Sequence, residues 1–392
     1  MSGYETVRLF LRKSVPIGLV VVSTVAALLL GELLVRFALN PGDFLAVTTI
    51  DDPVLGHRIK PHSTGHDALG YRNPEVPEHA NVIAIGDSMT YGVMAARNRS
   101  WPHQLGALLH EPVYNMALGG YGPLQYLHLA RHEAKNLRPR LLLVGFYFGN
   151  DLIDAYRVAH QMPYWHSWRD AGSADGDGSE HRQAANTGQR KPFADLRDWL
   201  SSHSVFYNVV KVTLLARLAL WEQERIASRV TPDRQMIWTD PSRDSVRTIF
   251  TARVSLSALD TRRPIVREGL RITKRVFTSL KSDADAQGMK LLVVLIPTKE
   301  RAYCRYLKKS GGDIPDAFFR LCDVEEQVKK ELMLFFATKS IAYVDVSLAM
   351  EEQIEKHLQI YPKNSDTHPE AAGYGVIARV VYDAVRRPEY AK

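Results

Sequence analysis

Four short runs, far apart in the chain, contain the residue types that acyl chemistry requires. They are Gly86-Asp87-Ser88, Gly120, Gly149-Asn150-Asp151 and Asp366-Thr367-His368. A serine hydroxyl is a weak nucleophile until a base takes its proton, and a histidine held by a carboxylate is a suitable base. Because the serine comes early and the histidine late, the two can meet only after folding. The four runs therefore predict ester cleavage or acyl transfer.

Each candidate residue has a role in this hypothesis. Ser88 is the nucleophile, His368 is the base, and Asp366 holds one ring nitrogen of the imidazole. The backbone N–H groups of Ser88 and Gly120 and the side-chain amide of Asn150 are the candidate oxyanion donors, each typically worth about 2.7–4 kcal/mol of barrier. Taken alone, each run has a plain alternative as a turn or a helix cap. Their order along the chain, after successive strands, favours the catalytic interpretation.

Alternating apolar runs and helix-like segments must position these residues. The strand-length runs are Val82–Ile85, Val113–Asn115, Leu141–Phe146, Leu291–Ile296 and Ile341–Val344. The helix-like segments are Pro102–Leu109, Gln125–Leu137, Ile265–Ala286, Val324–Ala337 and Val376–Val385. This alternation predicts an α/β fold, with a parallel sheet covered by helices on both faces. In such a sheet the working residues lie at the carboxyl ends of the strands.

Two stretches depart from this alternation. Residues 40–80 are rich in Pro, Gly, Asn and His, and we interpret them as an ordered but irregular lead-in to a domain over 81–392. Residues 155–260 form an insertion between the third and fourth strands, either a lid or peripheral decoration. Within it, Ala171–Gln189 is Gly/Ser/Asp-rich and is predicted to be mobile. Ser204–Ala227 has apolar residues at helical spacing and is predicted to form an amphipathic helix.

The N-terminal region has the composition of a membrane anchor. Residues 15–39 are apolar, and their only charged residues, Glu32 and Arg36, stand four apart and can form an ion pair. The basic residues of the preceding segment, opposed only by Glu5, place residues 1–14 in the cytoplasm and the rest of the chain outside it. A cleaved signal peptide is the competing interpretation. It is disfavoured because no A-x-A-like site follows the apolar run.

Composition is that of a globular protein with a basic excess. The 392 residues are 45% hydrophobic and 24% charged, with a net charge of +7 and a pI near 9.2. Residues 211–275 hold 14 Lys/Arg against 7 Asp/Glu. This is either a solvated helical surface or an attraction to anionic lipid head groups or an acidic polymer. No nucleic-acid-binding motif is visible, so a nucleic-acid partner is not expected.

The chain has two cysteines, Cys304 and Cys322. In an extracytoplasmic compartment they can form a disulfide that closes a small loop, and the alternative is two inert thiols. A zinc site would need more ligands of suitable spacing, and none stand nearby.

The four runs resemble the sequence blocks of the SGNH (GDSL-type) hydrolase family, which carry Ser, Gly, Asn and His in this order. The resemblance covers roughly residues 68–385. It implies a three-layer α/β/α flavodoxin-like fold with a five-stranded parallel sheet, and ester hydrolysis or acyl transfer through a covalent acyl-serine, without metal or organic cofactor. Three further runs resemble membrane-anchored bacterial members, which are often linked to exopolysaccharide or envelope metabolism: Gly70-Tyr71-Arg72, Trp101-Pro102 and Ile296-Pro297-Thr298-Lys299-Glu300.

One departure from the family pattern concerns the acid and the base. Many members space them as Asp-x-x-His, whereas here position 365 is a serine and Asp366 stands two before His368. The Asp-x-His spacing resembles the polysaccharide O-acetyltransferase branch of the superfamily, which raises the expectation of acetyl transfer.

Three functional hypotheses result. The first is a single-pass, membrane-anchored serine esterase or deacylase that acts outside the cytoplasm, in the periplasm of a Gram-negative cell, on O-acyl esters of a small molecule or a glycan. The second is an O-acetyltransferase of an exopolysaccharide or envelope glycan that uses the same triad. The third is a non-catalytic module that binds glycan at the membrane.

Overall fold

The computed structural model describes residues 3–170, 193–213, 216–231, 234–311, 313–387 and 390. It separates into two compact units, one of residues 1–48 and 188–218 and one of residues 49–187 and 219–392. The strands are β1 (Thr49–Asp52), β2 (Gly56–Ile59), β3 (Val82–Ile85), β4 (Val113–Asn115), β5 (Leu141–Tyr147), β6 (Met236–Asp240), β7 (Arg243–Phe250), β8 (Lys290–Ile296) and β9 (Ala342–Asp345).

The α-helices follow in chain order. They are α1 (Gly3–Ala38), α2 (Ser88–Tyr91), α3 (Trp101–Leu109), α4 (Pro123–His132), α5 (Asp151–Gln161), α6 (Ala194–His203), α7 (Val205–Thr213), α8 (Ala216–Ala227), α9 (Ala252–Leu259), α10 (Pro264–Ala286), α11 (Lys299–Ser310), α12 (Asp316–Thr338), α13 (Ser347–Glu355) and α14 (Ala371–Val385). Short 3₁₀ helices lie at Pro41–Asp43, Arg97–Arg99, Ala134–Leu137 and Pro163–Trp168.

The larger unit is built on a five-stranded sheet of order β4-β3-β5-β8-β9, in which every neighbouring pair is parallel. Every residue of β3 and β5 is buried, as expected where helices cover both faces of a sheet. Strand β3 is the first strand of this sheet in chain order. Strand β4 lies on one side of it, and β5, β8 and β9 follow on the other. This is the flavodoxin-like order 2-1-3-4-5, and it confirms the predicted fold class.

The predicted strands agree with the observed ones to within one residue, but the helix bounds differ more. Helix α12 begins at Asp316, eight residues before the predicted start, and α14 begins at Ala371, five residues before it. The first turns of α14 are Ala-Ala-Gly-Tyr-Gly, whose small residues hide the apolar periodicity from sequence reasoning. The predicted helix 125–137 is helix α4 followed by a 3₁₀ turn.

The lead-in is more regular than the sequence indicates. Strands β1 and β2 form an antiparallel hairpin in which Thr49 pairs with Ile59. The Asp52 carboxylate accepts the backbone N–H groups of Val54 and Leu55, at 2.8 and 2.7 Å, and so stabilises the turn. The lead-in therefore contains a regular hairpin over residues 49–59 that the sequence did not indicate, because a side chain supplies the turn's hydrogen bonds where no Asn-Gly or Asp-Gly signal exists.

The insertion also contains a hairpin that the sequence did not indicate. Strands β6 and β7 pair antiparallel, with Met236 opposite Phe250. The segment 171–189, predicted to be mobile, lies outside the described residues. The predicted helix 204–227 corresponds to α7 and α8, with residues 214 and 215 between them outside the described part.

These elements decide one of the alternatives that the sequence left open, the state of the two cysteines. Cys304 on α11 and Cys322 on α12 form a disulfide, so the interpretation as two thiols is wrong. Helix α1 contains the segment Gly18–Ala38, which is long and apolar enough, by length and composition, to cross a membrane.

Candidate active site

The candidate nucleophile lies at the carboxyl end of β3. The buried Asp87 precedes the short helix α2, and its carboxylate accepts the backbone N–H of Met89 at 2.8 Å, which caps the helix. Burial raises the pKa of Asp87 to about 6, while the Met89 N–H and the Asn150 side chain limit the rise. Ser88 follows as the first partly exposed residue after the buried run 82–87. The cap therefore presents the Ser88 hydroxyl above the sheet.

The histidine loop brings the base to this hydroxyl. His368 Nε2 lies 2.8 Å from Ser88 Oγ, and His368 Nδ1 lies 2.7 Å from Asp366 Oδ1. The backbone N–H of His368 donates to the same carboxylate oxygen at 2.9 Å. A carboxylate can only accept, so Nδ1 carries the proton and Nε2 is free to accept from the serine hydroxyl. The Asp-x-His spacing thus closes a complete hydrogen-bonded chain.

The electrostatics of Asp366 suit this arrangement. Burial acts to raise its pKa, but the hydrogen bonds from the His368 ring and backbone outweigh burial and hold the pKa below its usual range. The carboxylate is therefore ionised at neutral pH. An ionised carboxylate at Nδ1 stabilises the imidazolium that forms when His368 takes the serine proton.

A buried lysine supports the same loop. The Lys299 ammonium donates to the backbone oxygens of Asn364 and Asp366, at 3.2 and 2.9 Å, and to that of Ile249 on β7, at 2.7 Å. Burial lowers the pKa of Lys299 to about 8, against the attraction of Glu300 and Asp366. The hairpin β6–β7 and the catalytic loop are thus joined through one cation. Through Ile249 the insertion therefore helps to position the catalytic loop, a role that is neither a lid nor peripheral decoration.

The candidate oxyanion donors follow the strands on either side of β3. Gly120 comes after β4 and Asn150 directly after β5, and the carboxyl ends of neighbouring parallel strands meet at one edge of the sheet. A Cβ atom placed on Gly119 would lie 3.6 Å from the Ser88 Cβ, so this turn reaches the nucleophile. Gly120 has φ +81°, a conformation that favours glycine.

Asn150 occupies the N-cap position of α5, yet its side chain makes no capping hydrogen bond. The Asn150 side-chain oxygen is buried and has no hydrogen-bond donor among the residues that the structure describes. The Asn150 side chain therefore does not cap α5, and its amide faces the Asp87 carboxylate, whose pKa it helps to hold down. Its role as an oxyanion donor stays a prediction.

His57 is a site residue that sequence reasoning missed. It lies on β2, and its Nε2 is 3.0 Å from the carbonyl oxygen of Gly119. Because a carbonyl oxygen can only accept, the Nε2–H of His57 is the donor. That carbonyl belongs to the same peptide unit as the Gly120 N–H, so the hydrogen bond fixes the direction of the candidate oxyanion donor. The Tyr121 hydroxyl donates to the His57 backbone oxygen at 2.7 Å and holds the hairpin in place. No sequence signal marks His57, because its partner is a backbone atom.

Arg72, in the run Gly70-Tyr71-Arg72, supports the segment after α2. Its buried guanidinium donates to the carbonyl oxygens of Gly92 and Ala95, both at 2.9 Å. Lys299 belongs to another of the runs quoted for the resemblance. For both residues the motif was visible in the sequence, but its physical role was not.

The chain carries the four sequence blocks that resemble those of the SGNH hydrolases, on a sheet of flavodoxin-like strand order. No family model and no curated protein matches the chain. Among solved structures it is similar to a lipolytic protein of the G-D-S-L family from Desulfitobacterium hafniense, with 10% identity, a TM-score of 0.38, and coverage of 77% of this chain and 97% of that one. It is also similar to the acetylxylan esterase Axe2 from Geobacillus stearothermophilus (12% identity, TM-score 0.37, coverage 79% and 96%) and to an acylhydrolase from Bacteroides fragilis (14% identity, TM-score 0.34, coverage 79% and 90%).

These identities and TM-scores are too low to transfer an activity. The chemistry proposed for this chain rests on the contacts between Ser88, His368 and Asp366.

Proposed function

We propose that this chain is an SGNH-type serine esterase that removes O-acyl groups through a covalent acyl-serine. The observation that carries the proposal is the contact of 2.8 Å between His368 Nε2 and Ser88 Oγ, with Asp366 on the opposite ring nitrogen. These three groups are within the reach that proton transfer from serine to imidazole requires.

The reaction would follow from this geometry in two steps. His368 takes the Ser88 proton as Oγ attacks the acyl carbonyl, and the imidazolium then gives that proton to the leaving alcohol oxygen as the bond between it and the acyl carbon breaks. In the second step His368 takes a proton from water as the water oxygen attacks the acyl carbon. The bond between that carbon and Ser88 Oγ then breaks, and the imidazolium returns its proton to Oγ, which releases the carboxylic acid and the free serine. The N–H groups of Ser88 and Gly120 and the Asn150 amide would stabilise the oxyanion formed in each step.

We also propose that residues 15–39 anchor the enzyme in a membrane, with its catalytic unit outside the cytoplasm. The length and apolar composition of Gly18–Ala38 support the anchor, and the basic residues before it support the orientation. The disulfide between Cys304 and Cys322 supports an oxidising compartment, because disulfides are rare in the reducing cytosol. The periplasm of a Gram-negative cell is such a compartment.

The decisive experiment is labelling of the detergent-solubilised full chain with a fluorophosphonate, together with turnover of a short-chain aryl ester. We expect wild type to be labelled and active. Ser88→Ala should lose both signals, and His368→Ala should lose turnover and most of the labelling rate. Absence of labelling in correctly folded wild type would favour the non-catalytic glycan-binding hypothesis.

Acetyl transfer to a glycan hydroxyl is the second candidate, since the Asp-x-His spacing is the one that resembles the O-acetyltransferase branch. It uses the same acyl-serine, with a sugar hydroxyl replacing water in the second step. Adding candidate exopolysaccharides should then raise aryl acetate turnover and yield an acetylated product. Turnover that ignores every acceptor would leave hydrolysis as the function.

A further inference from the structure

The smaller unit contains a charged side chain inside the apolar helix α1. Glu32 lies within Gly18–Ala38, the segment long and apolar enough to cross a membrane. Its carboxylate accepts the backbone N–H groups of Val205 and Phe206, at 3.0 and 2.9 Å, and the hydroxyl of Ser204, at 2.7 Å. Glu32 therefore caps the N-terminus of α7, a position that favours a negative charge.

Arg36, one turn further along α1, completes this corner. Its Nε donates to Glu32 at 2.6 Å, and its Nη2 donates to the backbone oxygen of His203, the last residue of α6, at 2.6 Å. Glu32 and Arg36 thus hold the end of α6 and the start of α7. Gly31 allows the close approach, since a Cβ atom there would lie 3.1 Å from the Phe206 ring.

The hydrogen bonds of Glu32 and Arg36 suit charged groups near a membrane, whereas charged groups in water do not require such partners. Ionisable groups at membrane depth are costly unless they pair with each other or with backbone polar groups. Glu32 stands six residues before the end of α1 at Ala38, about 9 Å along the helix axis. If α1 crosses the bilayer, the corner between α6 and α7 is held close to the boundary between the acyl chains and the head groups.

Helix α6 exposes an apolar face beside this corner. Phe193, the N-cap residue of α6, is 80% exposed, and Leu196 and Trp199 within the helix are 53% and 56% exposed. The spacing of three places Leu196 and Trp199 on one side of the helix, next to Phe193 at its start. A helical face of this kind suits the membrane interface, where Trp is enriched and amphipathic helices bury their apolar side.

We propose that α6 lies in the outer interface of the membrane, fastened to α1 by Glu32 and Arg36, with the face of Phe193, Leu196 and Trp199 against the lipid. This inference rests on the membrane anchor in the proposed function. Lipid is the occupant because the apolar segment Gly18–Ala38 of α1 has no buried residue in the same compact unit, and the polar groups that join the two helices are already paired. Helix α6 then extends the anchor along the membrane surface.

The test uses the full chain in lipid nanodiscs under non-reducing conditions, with a nitroxide on Leu196→Cys. The native cysteines are in a disulfide and do not react with the label. Leu29→Cys on α1 and Leu348→Cys on α13, which are 66% and 55% exposed in the wild type, are the reference positions for lipid and water. Collision with oxygen reports lipid, and collision with a water-soluble nickel chelate reports water.

We expect the ratio of oxygen to nickel collisions at position 196 to be severalfold higher than at position 348. A ratio equal to that at 348 would overturn the inference, and so would shielding from both reagents, which would indicate a second copy or another protein on this face. A water-like ratio at position 29 would overturn the anchor itself, so the two failures are distinguishable.

A second variant tests the fastening. Adding Glu32→Leu to the labelled Leu196→Cys chain should lower the collision ratio towards that of position 348, because the cap on α7 is lost. An unchanged ratio would overturn the role of Glu32. Aryl ester turnover of the same sample checks that the catalytic unit is folded.

Discussion

Two loops meet at Ser88, and different parts of the chain hold each of them in place. The loop 364–368 carries the acid and the base, and its backbone oxygens accept hydrogen bonds from the buried ammonium of Lys299. The turn at 118–120 carries a candidate oxyanion donor, and its backbone oxygen accepts a hydrogen bond from the partly exposed ring of His57. Lys299, which supports the acid–base loop, lies at the junction between β8 and α11. His57, which supports the glycine turn, lies in the lead-in hairpin.

The difference concerns how much each loop depends on its support. The acid–base loop is long and must place a ring within hydrogen-bonding distance of Ser88, so it is tied to α11 and to the hairpin β6–β7 through a charge. The glycine turn is short and follows directly from β4, so one neutral or charged donor is enough to fix its direction. We therefore expect substitutions in the acid–base support to cost more activity than substitutions in the oxyanion support.

The largest effect is expected for the acid itself. Asp366→Asn keeps the shape of the side chain but removes the ionised acceptor at Nδ1, so the imidazole loses its tautomer and the imidazolium loses its stabilisation. The kcat for aryl ester hydrolysis should fall by about 10³–10⁴-fold. Ser365→Ala, one position earlier in the same loop, is the matched control. A loss of less than tenfold for Asp366→Asn would remove this residue from the triad.

Removing the buried cation should come next. Lys299→Met has a similar length but cannot donate to Asn364 and Asp366, so the catalytic loop shifts relative to Ser88. A displacement of about 1 Å in a catalytic group can cost about 10²-fold in rate, and we expect kcat to fall by about 10- to 100-fold.

The control for Lys299→Met is Lys308→Met, on the same helix α11 with a half-exposed side chain. Near-ultraviolet circular dichroism should show that both variants are folded. A folded Lys299→Met enzyme with wild-type kcat would show that the loop holds its geometry unaided.

A smaller effect is expected at the oxyanion support. His57→Leu removes the donor to the Gly119 oxygen, and kcat should fall by about tenfold, less than the loss of a whole oxyanion donor. His57→Gln, whose amide can still donate, should recover part of this loss. The KM should change little in either variant, because the contact acts on the transition state through Gly120.

His79→Leu, an exposed histidine of the same lead-in, serves as the control. A larger loss for His57→Leu than for Lys299→Met would reverse the comparison between the two supports. Equal losses in His57→Leu and His57→Gln would show that packing, and not hydrogen bonding, is the contribution of His57.

The smallest effect concerns the stability of the segment that carries Lys299, which we expect to depend on pH. Glu325 on α12 is buried and accepts from the Thr298 N–H at 3.0 Å and from the Thr298 hydroxyl at 2.5 Å, immediately before Lys299. Burial raises the pKa of Glu325 to about 7, against these hydrogen bonds. The stability this group contributes is therefore fully present below the pKa of the unfolded chain, about 4.5, and is lost as pH rises through about 7.

In Glu325→Gln the free energy of unfolding should decrease less as the pH rises. We expect the free energy of unfolding of the wild type in detergent to fall by on the order of 1–3 kcal/mol more than that of the variant between pH 5 and pH 8. Denaturant titrations at several pH values measure the difference. Parallel curves for the two proteins would mean that Glu325 does not titrate in this range.

The sequence by itself determined the fold class and the three residues of the candidate triad, Ser88, His368 and Asp366. The apolar runs of β3, β4, β5, β8 and β9 are continuous because both faces of the sheet are buried, and this signal is local enough to be found without coordinates. The blocks around Ser88 and His368 follow or precede regular elements, which makes their position at the sheet edge predictable.

Only the tertiary structure decided what supports these residues. His57 and Lys299 act on backbone atoms of segments far away in the chain, as Glu32 does at the start of α7 in the smaller unit, and a backbone atom has no residue type to recognise. The β6–β7 hairpin was missed for the same reason, since β7 is held by the distant loop at residue 364. The β1–β2 hairpin was missed because the Asp52 carboxylate, and not an Asn-Gly or Asp-Gly pair, stabilises its turn. Side-chain patterns along the chain report burial, whereas contacts between a side chain and a distant peptide group exist only once the chain has folded.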